Sequence, residues 1–519
     1  MRDRQPAYPA QNPDAATSGL ALCFFVVSLG FNLWGISIGW WHLLLDLHWF
    51  RQTYTALATY RMLHGGPWLA YEIPVFGPPW SLPQDFPLYE WAVAVAATVL
   101  PLPLDQCGRL VSASFFYLSL PPVYLVLRQL DVSRRHRWLF LGLWLLSPEY
   151  IYWSRTFIIE PAHLCCAAWY LALVGAFAAA PRRWKGCLAA CFGTLAALVK
   201  PISFAGFLAA AVLMLWRGWR RGDLGVRQLT AAAAGLCALP IAANAVWTLV
   251  ARSLWAANPL AFSAFHFDVR WHMGPLALRW DPAFWRVVVD RMVRDTVGHW
   301  ALVVGSVAAL VASQRRVREA VICLALFLVV VLVFAKAHMI HEYYQYANGL
   351  FLVGFLGFAI VSLLERSGWR AALGVGLLIV VALAQTRSYL SGPYYANQIK
   401  DLRLPVADVL RRVTEPTDVL LVFGARFQWS AEIPYYAQRR ALIDWDTRGW
   451  DDPAMVAAVK NLAGYRVGAA VFCKGTGRRM DLVRGAQAAF ALQQTPSLSS
   501  WGCDIYLPGA GAAGRTTSP

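Results

Sequence analysis

Long apolar segments separated by short polar turns fill most of the first 390 residues. About eleven of these segments approach the roughly 20 residues that an α-helix needs to cross a bilayer. We predict spans at 18–40, 108–130, 137–153, 160–180, 185–200, 202–218, 228–250, 298–313, 319–335, 346–364 and 370–387. The pattern predicts an α-helical polytopic membrane protein.

Two further segments are predicted to lie along the membrane surface. The apolar run 88–101 is short, and counting it as a span would move the basic turn 133–137 to the other side of the membrane. We therefore predict a helix on the outer leaflet there. The segment 282–297 is amphipathic, with Phe284 and Val288 on one helical face, and it also predicts a surface helix.

The chain changes character near residue 390, where short strand-like runs alternate with short helical ones. The predicted strands are 418–424, 439–445, 465–473 and 501–507, and the predicted helices between them are 405–413 and 453–462. We expect three parts: a membrane domain (1–390) with outer loops 41–107 and 251–297, a small C-terminal α/β domain outside the cytoplasm (391–508), and a disordered tail (509–519).

Composition agrees with a membrane protein. The chain of 519 residues is 58% hydrophobic and 14% charged, whereas about a quarter of the residues in soluble domains are charged. The net charge of +17 comes largely from basic turns, at 133–137, 181–185, 217–227, 314–318 and 365–370. Such turns face the cytoplasm, so they indicate topology and not binding of nucleic acid. This places the N-terminus inside and the C-terminus outside, and we predict no cleavable signal peptide.

The ten cysteines show no spacing typical of a zinc site. Most of them lie within apolar runs and are expected to act as small hydrophobic residues. Cys473 and Cys503 fall in the polar C-terminal part. They would form a disulfide if that part is outside the cytoplasm.

In this topology, ionisable and aromatic side chains gather on the outer face. An ionisable group at the membrane is costly, so it is usually functional or paired. The candidates are Asp46, Arg51, Asp85, Arg155, Glu160, Lys200, His341, Glu342, Tyr343 and Tyr344. A carboxylate can accept a proton from an attacking hydroxyl, while Arg and Lys can hold a phosphate. Together they suit a lipid-linked phosphosugar at headgroup depth.

Each candidate also has a simpler explanation. Asp46 alone is typical of a solvated loop acid, and Arg155 alone could extend to the interface or pair with Glu160 to orient its hairpin. Lys200 could complement a helix C-terminus, and the tyrosines at 343 and 344 could belong to an aromatic belt. The functional interpretation depends on all of them lying on one side.

Four short motifs carry a resemblance to a known family. They are "PQDFPLYEW" (83–91), "RTFIIEP" (155–161), "LVKP" (198–201) and "HEYYQY" (341–346). With an acid in the first outer loop and a polar C-terminal domain, they resemble the GT-C superfamily of integral membrane glycosyltransferases. The likeness is to the bacterial branch of protein mannosyltransferases and lipid A aminoarabinose transferases, which is glycosyltransferase family 39-like.

The resemblance implies a function and a location. It implies inverting transfer of a sugar from a polyprenyl-phosphate donor to a glycolipid, polymer or protein acceptor. The reaction would occur on the outer face of the bacterial cytoplasmic (inner) membrane. It leaves a divalent metal open, although the sequence shows no ligand spacing that marks a metal site.

The resemblance also implies roles for single residues. Asp46 would be the general base and Glu160 the second acid, and Arg155, Lys200 and His341 would face the lipid phosphate. The remaining candidates that bind substrate are Arg51, Glu342, Tyr343 and Tyr344. Relatives carry an acidic pair just before a Tyr in the first loop, where this chain has Arg51 and Gln52. Asp85 is therefore the alternative base.

Two other functions stay open. A transporter or lipid flippase would use the polar face as a vestibule, but it should show internal repeats and broken helices at mid-membrane, and the sequence shows no repeat. A structural or accessory membrane protein would not need Asp46, Arg155 and Glu160 together.

Overall fold

A computed structural model describes residues 13–264, 269–424, 430–444, 449–473 and 480–509. The predicted tail from residue 510 onward, and Trp445 at the end of a predicted strand, lie outside the described residues. The predicted helical membrane part and a small C-terminal sheet are both present.

The first part of the chain is helical. Its α-helices are α1 (Pro13–Ser37), α2 (Trp49–Leu63), α3 (Leu88–Val99), α4 (Leu104–Leu118), α5 (Leu120–Gln129), α6 (Arg134–Leu146), α7 (Pro148–Trp153), α8 (Glu160–Ala179), α9 (Arg183–Val199), α10 (Pro201–Arg221), α11 (Val226–Ala232), α12 (Leu239–Trp255), α13 (Pro259–Ala264), α14 (Val269–Met273), α15 (Pro282–Arg291), α16 (Trp300–Ser313), α17 (Val317–Val333), α18 (Ala335–Ile340), α19 (Gly349–Leu364), α20 (Trp369–Ser391) and α21 (Pro393–Gln398). π-helical turns occupy Ala233–Ala238 and Met292–Val297, and 3₁₀ turns occupy Leu276–Trp280 and Glu342–Gln345.

Six helical stretches among the described residues are long and apolar enough to cross a membrane. They are Ser18–Ser37, Leu104–Gln129, Glu160–Ala179, Pro201–Arg221, Val226–Trp255 and Trp369–Gln398. A seventh arises if Pro282–Val297 and Trp300–Ser313, which meet at 77°, count as one broken span. The other predicted spans are also helical, as α6 with α7, α9, α17 and α19, but these helices are shorter. The predicted fold class is confirmed.

The centre of the helical part is α19, which is apolar on every side. All residues from Gly349 to Leu363 are buried, and a helix that is hydrophobic all round belongs in a core. It packs against α16, α17 and α20. The two segments predicted to be surface helices are helical as well. In the second one, Phe284 and Val288 are buried and Arg286 is exposed.

The C-terminal part is a five-stranded sheet with helices. Its elements are α22 (Pro405–Val413), β1 (Val419–Phe423), α23 (Glu432–Ala437), β2 (Arg440–Asp444), α24 (Pro453–Lys460), β3 (Val467–Cys473), α25 (Met480–Phe490), β4 (Leu498–Ser500) and β5 (Cys503–Tyr506). The strand order is β2-β1-β3-β5-β4. Strands β2, β1 and β3 are parallel, while β5 and β4 are antiparallel to their neighbours.

A disulfide joins the last paired positions of β3 and β5. Cys473 and Cys503 lie opposite each other in the sheet and are covalently linked. This pairing was one of the outcomes that the sequence left open. The exact domain boundaries at 390 and 508 stay predictions.

Candidate active site

The acid of the first outer loop, Asp46, is fully engaged in a buried ion pair. Its Oδ2 lies 3.0 Å from Nη1 of Arg155 on the tip between α7 and α8, and its Oδ1 accepts a hydrogen bond of 2.5 Å from Nε2 of Gln52. The two charged side chains are only 6% and 1% exposed. Arg155 therefore does not pair with Glu160, and Asp46 is not a solvated loop acid.

A second buried arginine, Arg109 on α4, fixes the same loop. Its Nη1 donates to the carbonyl oxygens of Gly39 (2.7 Å) and Trp40 (2.5 Å), and Nη2 of Arg155 also donates to the Gly39 oxygen, at 3.1 Å. Gly39 has a φ of +64°, and a Cβ there would lie 2.3 Å from the carbonyl oxygen of Gln398. Only glycine fits such a left-handed, crowded position. These contacts hold the loop in one shape.

Asp85 sits in a more open ion pair. Nη2 of Arg51, near the start of α2, contacts Oδ2 of Asp85, and Nη1 of Arg51 donates to Oε1 of Gln84 at 3.1 Å. The side chains of Arg51 and Asp85 are 14% and 26% exposed. Of the three candidate acids, Asp85 is thus the one that solvent reaches most easily.

Glu160 pairs with Lys200 at a junction of three helices. Oε1 of Glu160 contacts Nζ of Lys200, and both side chains are buried. The sequence explains their positions, because Glu160 opens α8 next to Pro161 and Lys200 lies at the break between α9 and α10 that Pro201 enforces. The other carboxylate oxygen, Oε2, has no hydrogen-bond partner within the part of the chain that the structure describes.

The two ion pairs form one electrostatic cluster. Lys200 interacts with the charges of Glu160, Arg51 and Asp85. Two acids and two bases give the cluster a formal charge of zero. An anionic ligand that enters it would compete with the carboxylates for Arg51 and Lys200.

Tyrosines form one wall of this cluster. Nζ of Lys200 lies 4.1 Å from the ring centroid of Tyr344 and 4.8 Å from that of Tyr343. The ring of His341 is stacked on Tyr343, with centroids 5.2 Å apart, and His48 contacts both His341 and Tyr343. His341, Tyr343 and Tyr344 of the motif 341–346 therefore lie at the cluster, whereas Glu342 does not.

The exception is Glu342, which faces another group. Its Oε1 lies 3.7 Å from Nη2 of Arg294, within the π-helical turn Met292–Val297 that follows α15. Arg294 also pairs with Asp290 and Asp295. Glu342 thus belongs to a separate network of acidic and basic side chains.

The histidines near the cluster are neutral at physiological pH. Burial, followed by the positive charge of Arg291, lowers the pKa of His48 to about 4. Burial also holds the pKa of His341 well below its ordinary value, and His48, Lys200 and Arg291 add to this effect. His341 can therefore stack on a ligand or hydrogen-bond to it, but it would not attract a phosphate by charge.

Several residues of the site were not predicted. Gln84 supports Arg51, and the hydroxyl of Tyr71 donates to the Asp85 carbonyl oxygen at 3.0 Å. Gln84 lies within the "PQDF" motif, so its position next to Asp85 was an available signal. Nothing in the sequence marks Tyr71, because its contacts depend on how distant loops pack.

The described residues do not group as a metal site. No three of their His, Cys, Asp or Glu side chains are arranged to hold a metal ion. Asp85 and Glu160 would have to leave their cationic partners to bind one. The residues present therefore do not fit the divalent metal that the resemblance leaves open.

The helical bundle with a small C-terminal sheet defines a polytopic membrane protein. No protein-family model matches the chain, and no curated protein matches its sequence. Solved structures do match. ArnT from Cupriavidus metallidurans in the apo state is similar with a TM-score of 0.62 and 15% identity, over 96% of this chain and 100% of that one.

Two further structures show the same fold with ligands. ArnT from Cupriavidus metallidurans bound to undecaprenyl phosphate matches with a TM-score of 0.60 and 14% identity, over 96% of this chain and 99% of that one. The archaeal oligosaccharyltransferase AglB from Archaeoglobus fulgidus, in complex with an inhibitory peptide and a dolichol-phosphate, matches with a TM-score of 0.53 and 12% identity, over 88% of this chain and 69% of that one. At these identities the likeness establishes the GT-C fold.

Proposed function

We propose that this protein is a glycosyltransferase that moves a sugar from a polyprenyl-phosphate donor to an acceptor outside the cytoplasm. The observation that carries the proposal is the neutral cluster of two ion pairs, in which Asp85 is partly open to solvent. Support comes from the fold, which is shared with ArnT solved with undecaprenyl phosphate and AglB solved with a dolichol-phosphate.

Arg51 and Lys200 would hold the donor phosphate. Both cations are pre-positioned by carboxylates, and a phosphate offers the same kind of oxygen ligand with more negative charge. When the phosphate takes over Arg51, Asp85 loses its cationic partner. The carboxylate is then a stronger base at the moment the donor is in place.

The reaction follows from this arrangement. The acceptor hydroxyl gives its proton to Asp85 as its oxygen attacks the anomeric carbon of the donor sugar. The bond between that carbon and the phosphate oxygen breaks, and polyprenyl phosphate leaves with the bonding electrons. Arg51 and Lys200 would stabilise the charge on the leaving phosphate. Attack opposite the leaving group inverts the anomeric centre.

The other candidate residues receive different roles in the proposal. Glu160 would hold Lys200 in place and would be the second acid of the cluster. The buried ion pair favours a structural role for Asp46 and Arg155, which shape the loop before α2. Tyr343 and Tyr344 would line the donor site, since aromatic faces suit both sugars and lipid chains.

We place the site on the outer side of a bacterial cytoplasmic membrane. The disulfide between Cys473 and Cys503 supports this side, because disulfides persist in oxidising compartments. The sugar is not specified by the residues of the site, and the acceptor could be a glycolipid, a polymer or a protein.

The experiment is a transfer assay with purified protein in detergent. A radiolabelled mixture of polyprenyl-phosphate sugars and a crude envelope acceptor are supplied to wild type, Asp85→Asn, Glu160→Gln and Asp46→Asn. We expect label transfer by wild type, loss of transfer in Asp85→Asn, and transfer by the folded fraction of Asp46→Asn. Equal transfer by Asp85→Asn and wild type would refute Asp85 as the base.

A further inference from the structure

The loop that carries Asp85 is bound to the C-terminal sheet. Residues 71–82 double back as a hairpin, in which the amide of Ile73 donates to the Trp80 carbonyl oxygen (2.9 Å) and that of Leu82 to the Tyr71 carbonyl oxygen (3.1 Å). We refer to these residues as the hairpin. Asp85 and Gln84 follow it directly, so the direction in which the hairpin leaves the sheet sets where Asp85 lies.

The backbone of the hairpin extends the sheet beyond its edge strand β2. The amides of Ala441 and Ile443 donate to the carbonyl oxygens of Pro74 (2.9 Å) and Val75 (2.8 Å). In the other direction, the amide of Gly77 donates to the carbonyl oxygen of Ala441 at 3.2 Å. Adding a strand to an open sheet edge is a recurring means of attachment between proteins. Here it joins two parts of one chain.

Side chains of the C-terminal part reinforce the attachment. Nη2 of Arg440 contacts both carboxylate oxygens of Glu72, at 2.9 and 3.0 Å, and the Trp80 indole NH donates to the hydroxyl of Tyr465 at 3.0 Å. Nδ2 of Asn461 donates to the Pro78 carbonyl oxygen at 3.1 Å. The hairpin and the sheet also share one hydrophobic core, to which Ile73, Val75 and Phe76 contribute.

The helical part holds the other side of the segment. The indole NH groups of Trp255 and Trp247 on α12 donate to the carbonyl oxygens of Pro83 (2.8 Å) and Gln84 (3.0 Å). The Asp85 segment is therefore clamped between α12 and the C-terminal sheet. Lys200 lies at the junction of α9 and α10, which makes none of these contacts. Arg51 is on α2, which meets the hairpin through Arg61 with Glu72 and the C-terminal part through α23.

We propose that the C-terminal α/β domain is a positioning part of the active site, and that Arg440, Asn461 and Tyr465 hold the hairpin so that Asp85 meets Arg51. This inference rests on the proposed function. A displacement of about 1 Å in a reacting group can cost about 100-fold in rate. Loosening the hairpin should thus lower kcat, whereas donor binding through Arg51 and Lys200 should persist.

The test uses the full chain with the triple change Arg440→Gln, Asn461→Ala and Tyr465→Phe. The backbone pairing remains, and Glu72 keeps its second partner, Arg61. The matched control is Arg411→Gln, which breaks an exposed ion pair with Asp408 within α22 of the same domain.

Three quantities are measured: hydrogen exchange of the hairpin amides, kcat, and KM for the donor. We expect the triple variant to exchange faster in the hairpin and to lose at least about tenfold in kcat, with donor KM within about twofold of wild type and a cooperative unfolding transition. The control should match wild type. Keeping a positive charge at position 440, with Arg440→Lys in place of Arg440→Gln, should recover part of kcat.

Either of two results would overturn the inference: unchanged hairpin exchange, or faster exchange with wild-type kcat. A failure of the proposed function would give a different result. A wild-type protein that transfers no sugar would remove the basis for a catalytic role of the domain, while the exchange data would still measure the attachment itself.

Discussion

Replacement of Asp46 by Asn tests whether this acid is structural, as we propose, or catalytic. The change keeps the shape of the side chain and an oxygen that can accept from Gln52. It removes the negative charge opposite Arg155, which is 0% exposed. Breaking a buried ion pair by neutralising one partner costs about 3–5 kcal/mol, because the other charge is left buried without compensation. We expect a loss of unfolding free energy of that size.

Asp85→Asn is the matched comparison, since the substitution is the same. The side chains of Arg51 and Asp85 are 14% and 26% exposed, so water can partly solvate Arg51 when the carboxylate is lost. The cost should lie between the about 0–1 kcal/mol of an exposed pair and the about 3–5 kcal/mol of a broken buried pair. We expect Asp85→Asn to be more stable than Asp46→Asn and inactive. Asp46→Asn should be much less stable, with transfer per folded molecule retained.

Unfolding is measured by SDS titration in mixed micelles, with tryptophan fluorescence as the signal. Transfer activity is measured in parallel and normalised to the folded fraction. A double variant, Asp46→Asn with Arg155→Gln, should regain part of the lost stability, because no unpaired buried charge remains. An Asp46→Asn protein with wild-type stability and no transfer would refute the reasoning, and it would make Asp46 the catalytic acid.

Three further predictions address single features of the site and the sheet. Lys200→Gln should weaken donor binding at least about tenfold, because one charge-assisted contact is lost. The measurement is competition between polyprenyl phosphate and the donor, and unchanged competition would exclude Lys200 from the donor site. Cys473→Ser with Cys503→Ser should lower unfolding free energy by about 2–4 kcal/mol and abolish the mobility shift of wild type on reduction; a wild type without that shift would contradict an oxidised bridge. The pKa of His48 is lowered to about 4, so below about pH 6.5 the unfolded chain binds more protons than the folded one, and the free energy of unfolding falls as the pH drops towards 4. His48→Asn, in which Asn tolerates the left-handed φ of +53°, should lose less unfolding free energy between pH 7.5 and 5. The same dependence of unfolding free energy on pH in both proteins would contradict the lowered pKa of His48.

Much of the fold could be predicted because it follows from local patterns. Apolar length and basic turns identified the helices, and alternating short runs identified β1, β2, β3 and β5. In the C-terminal part, α23, α25 and β4 were missed; α23 and β4, with six and three residues, carry too little pattern. The predicted span 137–153 is in fact two helices, because Pro148 starts a new one after Ser147.

The site was predicted as a set of residues, but its pairing was not. Asp46 and Arg155 are separated by 109 positions, and Arg51 and Asp85 by 34. Any of the cations could have faced any of the acids, because charge alone does not determine how loops pack. In the structure, Asp46 is buried and fully paired, whereas Asp85 is partly open to solvent.

The attachment of the hairpin to the sheet could not be predicted either. The segment "PVFGPPW" (74–80) is rich in Pro and Gly and is typical of a free loop. Its partners in β2 lie more than 360 positions away. Strand addition across such a separation leaves no local signal, because the hydrogen bonds come from the backbone.

The most direct test of the central claim is the release of polyprenyl phosphate from a polyprenyl-phosphate sugar donor, by wild type and by Asp85→Asn, with a crude envelope acceptor present. This measurement follows the donor and does not require the acceptor to be known. We predict release by wild type that depends on the acceptor and is lost in Asp85→Asn, while the variant still binds the donor. Equal release by both proteins would contradict it.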